Sequence, residues 1–203
     1  MSDVFDAYAD ELNRSFKSTR VSAPDGSALE MDKTLAKIHQ TLVEITRGHN
    51  KLMFIGNGGS AGIAGHSAID FAKNGGVRSI TFNDASSLTC LGNDLGYDQV
   101  FAKQVDMQGL KGDILIAISS SGQSPNILNA VKTARDKGCA VITLSGFKPD
   151  NILRTLGDIN FYVEAEAYGF VEIAHQAILH VILDSAMGWT KDSGAVQPTR
   201  KVG

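Results

Sequence analysis

Five short, nearly continuous apolar runs recur along the chain: KLMFIG (51–56), VRSITFN (77–83), DILIAIS (113–119), AVITLSG (140–146) and INFYVE (159–164). They are rich in Val, Ile and Phe, the pattern of strands buried on both faces. Between them lie segments of helical length, 60–74, 98–108, 124–137 and 170–188. This alternation predicts an α/β fold with a parallel sheet and helices on both faces. Two more helical stretches, 3–18 and 30–48, come first, separated by STRVSAPDGSA, whose Pro-Asp-Gly is a turn signal. They hold no strands with which to form a domain of their own. One domain over 1–203 is therefore expected, its helical segment 1–48 packing on the sheet or on a partner subunit.

Composition narrows the range of functions. The chain has 203 residues, 43% hydrophobic and 20% charged, enough to bury a sizeable core. A net charge of −3 supplies no broad basic surface, so neither nucleic acid nor an anionic membrane is an expected partner. The acidic, amphipathic start MSDVFDAYADELNRSF is unlike a secretory signal, and no apolar run approaches the ~20 residues of a membrane span. A cytoplasmic location follows as an expectation. Cys90 and Cys139, too few for a disulfide framework or a cysteine zinc cluster, read as core residues.

The first strand runs into GNGGSAGIAGHSAID, Gly56 to Asp70. Glycines between a strand and a helix N-terminus let backbone N–H groups approach an anion, and the helix dipole favours negative charge there. Gly56, Gly58 and Ala61 also satisfy a G-x-G-x-x-A dinucleotide spacing, with Asp84 as a ribose acid, and a bare structural turn fits equally well. The third strand ends in SSSGQS, where Ser119, Ser120, Ser121 and Ser124 open another helix. Four hydroxyls with backbone N–H groups suit a phosphate monoester, whereas a simple Ser124 helix cap needs no ligand. Two such turns on one parallel sheet favour the phosphate, because ligands of open α/β sheets sit at the carboxyl ends of strands.

Two helices carry acid–base chemistry. His66 and Asp70 are four residues apart and share a helix face, and Glu172, His175 and His180 lie on the last helix. Two histidines and two carboxylates can bind a divalent metal, but spacing alone does not bring the helices together.

At these residues the chain resembles the phosphoheptose isomerases, or sedoheptulose-7-phosphate isomerases, of the sugar isomerase (SIS) superfamily. The likeness runs from about residue 35 to 188, through GNGGS, the helix with His66, LGNDLGYDQVFAKQV, KGDILIAISSSGQSPNIL, VITLSG and AHQAILH. It implies a three-layer SIS fold with a five-stranded parallel sheet flanked by helices, assembled as a homotetramer with active sites at subunit interfaces. It implies a metal-dependent aldose–ketose isomerase of sedoheptulose 7-phosphate or a related heptose phosphate. Residue by residue, the sugar phosphate falls to Asn57, Gly58, Gly59, Ser60, Ser119, Ser120, Ser121 and Ser124, the sugar to Asn93 and Asp94, and Glu172 counts as a further substrate-binding residue. The metal, zinc, falls to His66, Asp70, Glu172 and His180, and the base and acid to Asp70 and His180. The chain departs from the pattern where Asp70 replaces glutamate, Glu172 replaces glutamine, and Gly169-Phe170 replaces polar or basic residues. The other readings are a non-catalytic SIS module that binds a phosphosugar or a protein, and a dinucleotide enzyme, in which SSSGQS has no role.

Overall fold

The computed structural model describes residues 2–192 and Val202, so the expected single domain over 1–203 extends outside the described residues at 1, 193–201 and 203. Six strands form one sheet: β1 (Arg20–Ser22), β2 (Leu52–Gly56), β3 (Ser79–Thr81), β4 (Ile114–Ser119), β5 (Ala140–Ser145) and β6 (Ile159–Tyr162). Their order is β1-β6-β5-β4-β2-β3. Five are parallel, as the hydrophobic pattern predicts. The sixth, β1, runs antiparallel along β6 with Val21 opposite Phe161. It comes from the linker read as a turn, and at three residues it is too short to display an alternation of its own. The turn beyond it forms around Gly26, whose φ of 83° belongs to the left-handed region that glycine favours.

The helices are α1 (Ser2–Lys17), α2 (Met31–Arg47), α3 (Gly59–Lys73), α4 (Ala85–Leu95), α5 (Val100–Gln108), α6 (Pro125–Asp136) and α7 (Tyr168–Ala186). Strand periodicity divides the core. Leu52 and Phe54 of β2 face α2, α3 and α7, through Leu42, Phe71 and Leu179 among others. Met53 and Ile55 face α5 and α6, through Phe101 and Val131. Helix α4 escaped the hydropathy reading because none of its residues is buried. Its cap is legible instead: Asp84 accepts from the Ser87 N–H at 2.9 Å. That role accounts for Asp84 without a ligand. Cys139 is buried as expected, but Cys90 is exposed on α4. No described helix is long and apolar enough to cross a membrane.

At the end of the sheet opposite the glycine turn, β2 and β4 are tied by a buried carboxylate. Asp113 accepts from Lys51 Nζ at 2.6 Å, the Lys51 N–H at 2.9 Å, the Leu110 N–H at 2.9 Å and Asn50 Nδ2 at 3.1 Å. Burial by itself would raise this carboxyl, but the four bonds outweigh it and hold the group below the usual carboxylate range.

Candidate active site

Among the parallel strands the order is β3-β2-β4-β5-β6, so the winding direction reverses between β2 and β4. Open α/β sheets place their ligand crevice outside the strand ends at this reversal. The glycine turn follows β2 and the serine turn follows β4. A pocket of about 240 Å³ lies there, lined by Asn57, Gly58, Gly59, Ser60, Ile118, Ser119, Ser120, Ser121, Ser124, Tyr168 and Glu172. Every residue assigned to the phosphate from sequence is in this set.

One glycine is required by close approach: a Cβ on Gly56 would lie 2.5 Å from the Ser60 backbone, whereas one on Gly59 would press only on the end of the flexible Glu172 side chain. In the serine turn, Ser119 Oγ accepts from the Gly122 N–H at 3.2 Å and Ser121 Oγ from the Gln123 N–H at 3.3 Å. The other two hydroxyls are uncommitted. Ser124 holds the N-cap position of α6 without making a side-chain cap bond, and its Oγ lies 3.5 Å from Ser119 Oγ. Ser120 Oγ is buried with no protein partner. A buried hydroxyl without a partner costs stability unless something else satisfies it. Among the described residues no Lys or Arg lines the pocket, so an anion there would be held by hydroxyls, N–H groups and the α6 dipole.

Farther along α3, Asp70 Oδ2 lies 3.1 Å from His66 Nε2 and 3.8 Å from His180 Nδ1 of α7. The three ligand atoms fall within 4.8 Å of one another, and the imidazoles meet edge to face at 5.5 Å. Zinc bonds of ~2.0–2.2 Å in tetrahedral array require ligand atoms roughly this close, so the three side chains fit such an ion as a set with an open position. Within one chain Glu172 does not stand with these three. It stands eight residues before His180, about 12 Å up the α7 axis, and faces the pocket beside Gly59 instead.

Other residues separate in the same way. Asn93 and Asp94 are exposed on α4, bonded to each other at 2.8 Å, and are not among the residues lining the pocket. His175 belongs to the core: it is fully buried and its Nε2–H donates to the Ser145 carbonyl at 3.0 Å. Burial pushes its pKa down to about 4, the bond to Ser145 opposing only in part. Unfolded, it would take a proton near pH 6.5; folded, it stays neutral, so stability is complete above pH 6.5 and falls toward pH 4. The expected loss is about 3 kcal/mol by pH 4, from roughly 1.4 kcal/mol per unit of pKa shift. Chemical denaturation across pH 4–7 reads it, and His175→Gln should flatten this part of the profile. An unchanged slope in the variant would remove His175 as its cause.

Three residues of the site were missed. Tyr168 lines the pocket and stacks edge to face on Phe147 at 4.9 Å. Tyr97 and Asn126 both bond to Asn57. Asn126, directly after Pro125 at the start of α6, had a local signal in its helix-start position. Tyr97 had none, since its partner is 40 residues away.

The family profile of the SIS domain matches residues 26–146. A phosphoheptose isomerase of Aliarcobacter butzleri is 39% identical over 158 residues, which cover 75% of this chain and 83% of that protein. Among solved structures, a phosphoheptose isomerase of Francisella tularensis superposes with a TM-score of 0.76 at 27% identity, covering 91% of this chain and 96% of that one. The phosphoheptose isomerase of Neisseria gonorrhoeae gives a TM-score of 0.73 at 29% identity, covering 91% and 98%.

Proposed function

We propose, because this chain belongs to the SIS domain family and to the phosphosugar isomerases within it, that it interconverts the aldose and ketose forms of a heptose phosphate, sedoheptulose 7-phosphate or a close relative. The observation that carries the reading is the serine turn at the sheet's reversal, where Ser120 and Ser124 leave hydroxyls uncommitted. Phosphate supplies the acceptor oxygens these donors lack. Glu172, a pocket carboxylate, then accepts from sugar hydroxyls.

The chemistry needs a group to carry a proton between adjacent carbons and another to serve the carbonyl oxygen. Asp70 takes the proton from the carbon beside the carbonyl while His180 delivers one to the carbonyl oxygen, giving an enediol. Asp70 then returns its proton to the neighbouring carbon, and the second hydroxyl gives its proton back to His180. His66, Asp70 and His180 would hold a zinc ion, which supplies Lewis-acid polarisation of the substrate oxygens.

The site is read as shared between subunits of a homotetramer. Asp70 lies ten residues beyond Ser60, about 15 Å along α3. An extended chain advances roughly 3.5 Å per three bonds, so a heptose 7-phosphate spans about 8–10 Å from its phosphorus to its reacting carbons. A neighbour's triad facing each pocket removes that mismatch. The exposed surface supports this reading, since Ile69 of α3, beside the triad, and Ile173 of α7, next to the pocket residue Glu172, are 58% and 45% exposed.

Two measurements test the proposal. Ser120→Ala with Ser124→Ala should weaken binding of inorganic phosphate by about 10²-fold or more, each lost hydrogen bond to a charged group being worth roughly 1.5–3 kcal/mol. The fold should be untouched, because neither hydroxyl makes a strong bond within the protein. Titration calorimetry reads it, and an unchanged affinity would move the phosphate elsewhere. Zinc binding is titrated separately: the intact protein should take up one ion per chain and His180→Ala should lose most of that uptake. Equal uptake by both would dismiss the triad as its site.

A further inference from the structure

We infer that Asn126 is a positioning residue that holds the glycine turn in register with the serine turn through Asn57, and this rests on the phosphate site proposed above. The two side-chain amides face each other as a reciprocal pair. Asn126 Nδ2 donates to Asn57 Oδ1 at 2.8 Å, and Asn57 Nδ2 donates to Asn126 Oδ1 at 2.9 Å. Tyr97 adds its hydroxyl to Asn57 Oδ1 at 3.2 Å. Both acceptor positions of Asn57 and one of its two side-chain N–H groups are thereby used, leaving a single donor for a ligand. Asn57 is a bracket before it is a ligand.

The need for a bracket follows from the topology. Strands β2 and β4 are bonded side by side as far as Gly56 opposite Ile118. Beyond the ladder the chains part into separate turns and separate helices, α3 and α6, on opposite faces of the sheet. Among the described residues, no backbone hydrogen bond joins 57–60 to 120–124. The amide pair bridges this gap, and Asn126 is only 2% exposed, so water competes little for its bonds. Its loss would leave Asn57 with an unmatched donor and free the two walls of the pocket to shift. A misplacement of 1 Å is enough to cost a binding or catalytic site about 10²-fold.

Asn57→Ala, Asn126→Ala and the double variant are compared with the intact protein by amide hydrogen exchange, by affinity for inorganic phosphate and by steady-state kinetics. In Asn126→Ala the Ala61 amide, which bonds the Gly58 and Asn57 carbonyls, should exchange about tenfold faster although the substitution is 65 residues away in sequence. Phosphate affinity should fall about tenfold and KM rise equally, with kcat at saturation kept within about threefold, because the loss lies in binding and not in proton transfer. The double variant should be no worse than the poorer single one, the mark of two residues acting as one unit. Asn126→Asp keeps the shape and the acceptor but sets a carboxylate against Asn57 Oδ1; it should show the same KM shift, and it stands in for the alanine variant should that variant fail to fold. Unchanged Ala61 exchange in a folded variant, or losses that multiply in the double variant, would overturn the inference. If the intact protein binds no phosphate, the phosphate site itself fails, while the exchange measurement still decides whether Asn126 positions the glycine turn.

Discussion

Asp70→Asn is expected to slow sugar-phosphate isomerisation by about 10²–10⁴-fold, the usual worth of a positioned general base. The substitution is nearly isosteric. Asp70 Oδ1 accepts from Asn74 Nδ2 at 3.1 Å, a bond that an asparagine oxygen can keep, so the last turns of α3 should hold their place. What disappears is the capacity to take a proton, and with it the charge that two histidines face at 3.1 and 3.8 Å. Affinity for inorganic phosphate should change by less than about twofold, since the serine turn lies on other strands and helices and effects at separated sites are close to independent. The split between the readouts is the test. A variant that still turns over at a tenth of the normal rate would exclude Asp70 as the base. An intact protein that binds phosphate but isomerises no sugar phosphate would favour the non-catalytic binding module.

The second large effect is on stability and lies far from the pocket. Asp113→Ala should destabilise the fold by about 3–5 kcal/mol, because the Asp113 side chain is fully buried and Lys51, only 13% exposed in its side chain, would be left without its partner. For a chain of this size that corresponds to a fall in Tm of roughly 6–20 °C. Two backbone N–H groups, of Lys51 and Leu110, also lose their acceptor. Replacing the pair together, Lys51→Met with Asp113→Ala, should recover part of the loss by removing the unpaired cation. Thermal melts of the three proteins decide it, and a loss below 1 kcal/mol in the single variant would show the pair to be dispensable. The carboxyl's folded pKa lies below its ordinary value, so its stabilisation is complete above about pH 4 and lost in stronger acid. The His175 effect sets in earlier, below pH 6.5, and the two are separable in one pH series.

Much of the architecture was legible in the order of residues. Four of the five parallel strands announce themselves because a strand buried on both faces must be apolar at nearly every position, the edge strand β3 shows only through the buried Val77 and Phe82 that flank it, and both turns are legible because glycine and serine tolerate or cap what other residues cannot. The residues that line the pocket from the two turns were legible for the same local reason: each is defined by its place at the end of a strand. Strand β1 and helix α4 were not, since three residues cannot establish a period and a helix with no buried residue has no apolar stripe to read.

What the sequence could not decide is which distant pieces meet. The reversal of winding between β2 and β4 places the two turns side by side, and nothing in either turn encodes the other. The same folding brings His180 to Asp70 across more than a hundred residues and leaves Glu172, on the same helix as His180, about 12 Å away along its axis. Spacing along one helix fixes faces and distances within it. Only the packing of α3 against α7, set by the core beneath them, selects the members of that helix that converge on Asp70. Likewise the amide pair of Asn57 and Asn126 exists because two chain segments, 69 residues apart, leave adjacent strands in parallel. Residue types and local turns were fixed by the chain itself, and their grouping into a site by the topology of the sheet.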